Sequence, residues 1–241
     1  MKDKTRDTIK ILEDNKLTNI YSPEDQIKMK LNDLSNPDDK FNAGLNLSKT
    51  MKENHIRTYD NTVPPEYCKE IIEKFEKSKE QYEKVDSGHK MYTEINVDLW
   101  PDWYDIRKRF KSLFKLYTDK FIKDVGIQEH HFPAQVNMEQ VRIKKYEPNN
   151  KDEFKNHVDV GSYASARRFL VFFLYLNDTE GGETVFTNYD LRVKPRAGRI
   201  LMFPPFWTHP HTGKKPINKP KYIIGSYLHY GDTLINEPRR F

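Results

Sequence analysis

Between positions 169 and 176 the chain reads F-L-V-F-F-L-Y-L, apolar at every step. Side chains alternate across an extended strand, so Phe169, Val171, Phe173 and Tyr175 share one face and Leu170, Phe172, Leu174 and Leu176 the other. Both faces need cover. That is the situation of a central strand in a two-sheet jelly roll whose outer face is packed by helices. Further strands are predicted at 55–59, 91–97, 141–146, 157–160, 183–186, 191–193, 199–203 and 222–230, separated by turn signals. Upstream the period changes to that of a helix. The segment E-Y-C-K-E-I-I-E-K-F-E-K places Ile71, Ile72 and Phe75 on one stripe, and Ile106, Phe110, Leu113, Phe114, Tyr117 and Phe121 form a longer one. Two helices ahead of a run of strands predict an α+β fold, with N-terminal helices packed on one sheet of a jelly-roll core.

The first 54 residues are lysine- and asparagine-rich with few aromatics. Ser22-Pro23-Glu24-Asp25 has the form of a helix start, Ile27, Leu31 and Leu34 follow on one face, and Asn36-Pro37-Asp38-Asp39 ends the run. We expect a polar extension over 1–54, partly helical or disordered, and a single jelly-roll domain over 55–241. The sequence does not indicate an oligomeric state.

Composition narrows the function. Of 241 residues, 41 are basic and 36 acidic, but the two signs are interleaved, which disfavours a nucleic-acid groove despite the net charge of +5. The single cysteine, Cys68, excludes an intrachain disulfide and falls beside a buried helical stripe, where packing explains it better than reactivity. The charged N-terminus lacks an apolar leader and the longest apolar run is too short to span a bilayer, so the expectation is a soluble cytoplasmic protein with no membrane partner.

The candidate chemistry begins at N-H-V-D, residues 156–159. On a strand, His157 and Asp159 would face the same way, and with a later histidine they would form the two-histidine, one-carboxylate set that holds non-haem Fe(II) and leaves positions open. His209 and His211 both lie downstream, in P-P-F-W-T-H-P-H-T-G-K-K-P. His130 and His131 are adjacent, so their side chains diverge, and a solvated loop is expected there.

H-V-D, then Y-L-N-D, G-G-E-T-V-F, a P-x-x-G turn, and a histidine followed by a proline and K-Y-I-I form an ordered series. That series resembles the prolyl 4-hydroxylase-like branch of the Fe(II)- and 2-oxoglutarate-dependent dioxygenases, over roughly 56–230. The resemblance implies a double-stranded β-helix, cupin-like in form. It makes His157 and Asp159 the first two iron ligands and favours His211 as the third, because Lys221 follows it by ten positions with Pro216 between. His209 would then line the same mouth. Lys221 takes the role of the 2-oxoglutarate-binding cation, Tyr146 lies near the cosubstrate, and Tyr175 and Thr184 are further candidates to reach it.

Two departures stand out: the loop 147–156 lacks the family's usual glycine, and the last strand has Gly225 and Tyr227 where a tryptophan is common. The implied cofactors are Fe(II), 2-oxoglutarate and O2, with ascorbate as a candidate reductant. The implied reaction couples oxidative decarboxylation, releasing succinate and CO2, to hydroxylation of a peptide or protein residue, with proline the first choice. Retention of the Asp159 ligand favours hydroxylation over halogenation. The alternatives are an oxygenase acting on a small molecule or nucleobase, and a catalytically silent metal-binding module. The tryptophans at 100, 103 and 207 suit an aromatic peptide-binding surface and a core equally well.

Overall fold

A computed structural model describes residues 55–231, so the helix expected from Ser22 and the rest of the extension 1–54 lie outside the described residues. In chain order the strands are β1 Arg57–Tyr59, β2 Glu83–Asp86, β3 Met91–Asn96, β4 Val136–Met138, β5 Arg142–Tyr146, β6 Phe154–His157, β7 Arg168–Tyr175, β8 Thr184–Phe186, β9 Leu191–Val193, β10 Arg199–Phe203, β11 His211–Gly213 and β12 Lys221–Tyr230. The helices are α1 Pro65–Lys77 and α2 Tyr104–Val125. A large antiparallel sheet runs β1-β10-β7-β12-β5-β3-β2, with β4 also pairing β12, and a small one runs β6-β11-β8-β9.

β7 separates two hydrophobic layers, as its alternation requires. Leu170, Phe172, Leu174 and Leu176 join Ile71, Phe75, Phe110 and Phe114 in the layer under the helices. Phe114 lies 4.4 Å from Phe172 with its ring tilted, and Phe110 meets the same ring edge-on at 5.2 Å. The opposite face gives Val171 and Tyr175 to an inner layer with Tyr146, Leu201, Phe203 and Ile223 of the large sheet and Phe186 and Val193 of the small one. Phe186 and Phe203 meet edge to face at 4.8 Å, joining the sheets across this interior.

α1 opens with Pro65 in its first turn, where the missing N–H costs no hydrogen bond, and buries Cys68, Ile71 and Phe75. Burial pushes the Cys68 thiol up to about 11, which leaves it un-ionised near neutrality. α2 ends at Gly126 in the left-handed conformation (φ 73°), and its N–H caps the helix carbonyls.

Four details depart from the sequence reading. The strand expected at 157–160 lies at Phe154–His157, because the N–H groups of Asp159 and Val160 both turn to Pro205 O at 3.1 Å and leave the ladder. The histidine-rich segment, read only as a histidine-bearing stretch, contributes β11, paired on both sides. β2 and β4 were not expected, being short and largely exposed. The tryptophans divide: Trp103 is wholly buried and donates Nε1–H to Gln81 Oε1 at 2.6 Å, whereas Trp207 is 78% exposed. His130 and His131 sit in an exposed 3-10 turn, as expected.

Candidate metal centre

The end of β6 and the start of β11 are adjacent, with His157 opposite His211 in register and their rings 4.2 Å apart. Asp159 is brought to them by the turn after β6, not by strand alternation. Its Oδ1 lies 3.5 Å from His157 Nε2 and its Oδ2 lies 3.6 Å from His211 Nε2. One ligand atom from each of the three falls within 4.8 Å of the others.

The outer nitrogens decide what the inner ones present. His157 Nδ1 is 2.7 Å from Lys155 O, and His211 Nδ1 is 3.1 Å from His209 O. A carbonyl only accepts, so each Nδ1 carries the proton and each Nε2 offers a lone pair. Phe154 stacks on the His157 ring at 3.4 Å, nearly parallel, and fixes its plane.

Burial lowers the His211 imidazole to about 4, against the opposing pull of Asp159, so it is neutral at pH 7. Burial alone would raise the Asp159 carboxyl, but the polar groups around it, the Tyr227 hydroxyl among them, outweigh it and hold the group at about 2. Asp159 Oδ1 accepts from Tyr227 Oη at 2.9 Å, while Oδ2 is buried without a hydrogen-bond partner. Two imidazole lone pairs facing an anionic oxygen repel unless a cation sits among them. The residues therefore fit a divalent metal of the kind two histidines and a carboxylate hold.

Lys221, at the head of β12, stands at the floor of the pocket that these three line. It is 2% exposed, donates Nζ to Gly182 O at 3.1 Å and lies 4.2 Å over the Tyr146 ring. One glycine makes room for it, and a second stands at ordinary contact distance. Gly182 has φ +70°, and a Cβ there would meet Lys221 Cδ at 3.0 Å. A Cβ on Gly213 would stand 3.7 Å from Nζ. Burial lowers the Lys221 ammonium to about 7, with Glu183 opposing.

The other sequence candidates separate. Tyr146 and Thr184 line the pocket, and Tyr175 sits behind Thr184 with its hydroxyl 2.7 Å from Oγ1. His209 is buried against Tyr189 at 5.3 Å, with Nδ1 2.8 Å from Thr208 Oγ1, so it lies outside the ligand set and serves it through its carbonyl. Sequence reasoning missed Tyr227 as a partner of Asp159, although the alternation of β12 puts it on the Lys221 face. It also missed Lys144, on the Tyr146 face of β5, which lines the same pocket.

Residues 141–229 match the family model of the 2OG-Fe(II) oxygenase superfamily. No curated protein matches in sequence. Among solved structures, a viral collagen prolyl hydroxylase of Paramecium Bursaria Chlorella virus-1, solved with 2OG, aligns with a TM-score of 0.55 at 18% identity, covering 74% of this chain and 97% of that one. A Trichoplax adhaerens prolyl hydroxylase, solved with a hypoxia inducible factor oxygen degradation domain peptide fragment, aligns at 0.60 with 14% identity, covering 76% and 86%. The non-heme alpha ketoglutarate dependent epimerase SnoN from nogalamycin biosynthesis aligns at 0.55 with 12% identity, covering 80% and 91%. Residues 141–229 thus match the 2OG-Fe(II) oxygenase superfamily, and the described fold is that of the prolyl hydroxylases it aligns with.

Proposed function

We propose that this protein hydroxylates a residue of a peptide or protein, proline first among candidates, with Fe(II) held by His157, Asp159 and His211. The observation that carries the reading is that these three and the buried Lys221 line one pocket. Bound Fe(II) supplies the binding of 2-oxoglutarate and O2 and the oxidation that releases succinate and CO2.

The chain's own groups position and shield. Lys221 pairs the far carboxylate of 2-oxoglutarate, which offsets the cost of taking that anion out of water. Tyr146 walls the same end, with its ring under the ammonium. Phe154, Phe173 and Ile223 give apolar sides that exclude water from the reacting groups. The side chains are asked for no acid, base or nucleophile.

Exposed aromatic side chains support a peptide substrate. Asp159 and Val160 are tied to Pro205, and the loops that leave this junction carry Tyr163, 98% exposed, and Trp207, 78% exposed. Exposed aromatic faces beside a metal site suit the packing of a proline ring. Ascorbate belongs to this proposal as the candidate reductant.

The test is aerobic incubation with Fe(II), 2-oxoglutarate and proline-containing peptides, following succinate and the mass gain of one oxygen on the peptide. Wild type should give both, and His157→Ala and Asp159→Ala neither. Succinate without any oxidised peptide, free amino acid aside, would move the substrate class away from peptides. No succinate under any condition would favour a silent binding module.

A further inference from the structure

Lys144 stands on β5 two residues from Tyr146, with its side chain on the same face and lining the same pocket. In the ladder Tyr146 pairs with Lys221 and Lys144 with Ile223, so Lys144 lies one strand repeat, about 7 Å, from the floor toward Tyr227 and the ligand Asp159. Its ammonium sits 4.9 Å over the Tyr92 ring and makes no hydrogen bond or ion pair among the described residues. The nearest carboxylate of its own sheet, Glu94, is bound to Arg142 at 3.2 Å instead. Burial lowers the Lys144 amine, and the charges of Lys90 and Arg142 push in the same direction against Glu94 and Asp159.

Charge balance shows what this residue lacks. With a divalent metal and 2-oxoglutarate in place, the metal and Lys221 offset Asp159 and the two carboxylates of the cosubstrate. Arg168 and Glu139 close on each other, and Arg142 holds Glu94 through Oε1 while Glu94 Oε2, in register with Lys144, has no hydrogen-bond partner. Lys144 is left with no carboxylate bonded to it in a confined pocket, where an opposite charge gains more than it would in water.

From this we infer that the substrate presents a carboxylate to Lys144, so that the hydroxylated residue has an acidic side chain or a free carboxyl group beside it. The inference rests on the pocket's binding 2-oxoglutarate at Lys221. A charged hydrogen bond of this kind is worth about tenfold or more in affinity.

The experiment uses matched proline peptides that differ only in Asp or Glu against Asn or Gln next to the proline. Their binding to protein loaded with Mn(II) and 2-oxoglutarate is measured by calorimetry, and their stimulation of succinate release by the Fe(II) enzyme is measured alongside. Wild type and Lys144→Arg should prefer the acidic members about tenfold, and Lys144→Met should lose the preference while binding 2-oxoglutarate as wild type does, which also shows that it is folded. Equal binding of acidic and neutral members by wild type overturns the inference, as does a preference that survives in Lys144→Met. A loss of 2-oxoglutarate affinity in Lys144→Met overturns it too, because the carboxylate served is then the cosubstrate's. Failure of wild type to bind 2-oxoglutarate at all defeats the underlying site reading, a separate result.

Discussion

The Tyr227 hydroxyl donates to Asp159 Oδ1 at 2.9 Å, and so decides which oxygen of that carboxylate is left for a metal. Arg168 braces the pair from behind. Its guanidinium lies 4.2 Å over the Tyr227 ring, donates to Asp159 O at 3.2 Å, and is gripped by both oxygens of Glu139 at 2.7 and 2.8 Å. Asp159 has no ladder bonds to fix it, since it follows the end of β6, so these contacts and Pro205 do that work.

Tyr227→Phe keeps the ring under Arg168 and removes only the donor. Partners of a metal ligand in this position are worth about 10- to 100-fold in metal affinity. Titration of the variant with Fe(II) or Mn(II) should show a loss in that range with little change in thermal stability. Unchanged affinity would mean that the hydroxyl is incidental to the carboxylate's orientation.

The two downstream histidines should behave differently. His211 offers Nε2 to the cluster, whereas His209 contributes a backbone carbonyl that any residue retains. His211→Ala should abolish metal binding measured by equilibrium dialysis, and His209→Ala should preserve most of it while losing some stability from the contact with Tyr189. The reverse order would reassign the third ligand.

How much of this was legible in the chain depends on whether a pattern was local. The run 169–176 announced both hydrophobic layers because a period of two is written in consecutive residues. The place of Asp159 was not legible, since its turn depends on a carbonyl of Pro205 some forty-six positions away. For the same reason β11 was hidden: three residues cannot display a period, and it exists through β6 and β8 on its flanks. Tyr227 and Lys144 were readable by parity from Lys221 and Tyr146, but their relevance rested on what faced them across the pocket.

Gly182 packs against the Lys221 stem, so Gly182→Ala tests that wall of the pocket. The residue has φ +70°, a conformation that costs an alanine about 1–2 kcal/mol, and the new Cβ would crowd Lys221 Cδ at 3.0 Å and Thr179 Cγ2 at 3.3 Å. Thermal denaturation should show a modest loss of stability. Affinity for 2-oxoglutarate should fall while metal affinity holds, because the ligand triad is untouched. Equal losses of both affinities would point to a general collapse of the pocket.

Lys221 should make cosubstrate binding depend on pH. Its folded value is lowered from 10.5 to about 7 by burial, while the unfolded chain keeps the ordinary value. Between these limits the unfolded state holds one more proton, so this residue's contribution makes the free protein more stable as pH rises from about 7 to 10.5. Binding runs the other way. A carboxylate seated on the ammonium favours the charged form, so above pH 7 the site must take up a proton as 2-oxoglutarate enters. The dissociation constant should therefore rise about tenfold per pH unit above that point, until the value in the complex is reached. Calorimetry of Mn(II)-loaded protein in buffers of different ionisation enthalpy measures the proton uptake directly. Lys221→Met should bind 2-oxoglutarate weakly and with a flat profile across the same range. If wild type is equally flat, the ammonium is already charged in the free pocket and desolvation has been offset by other means.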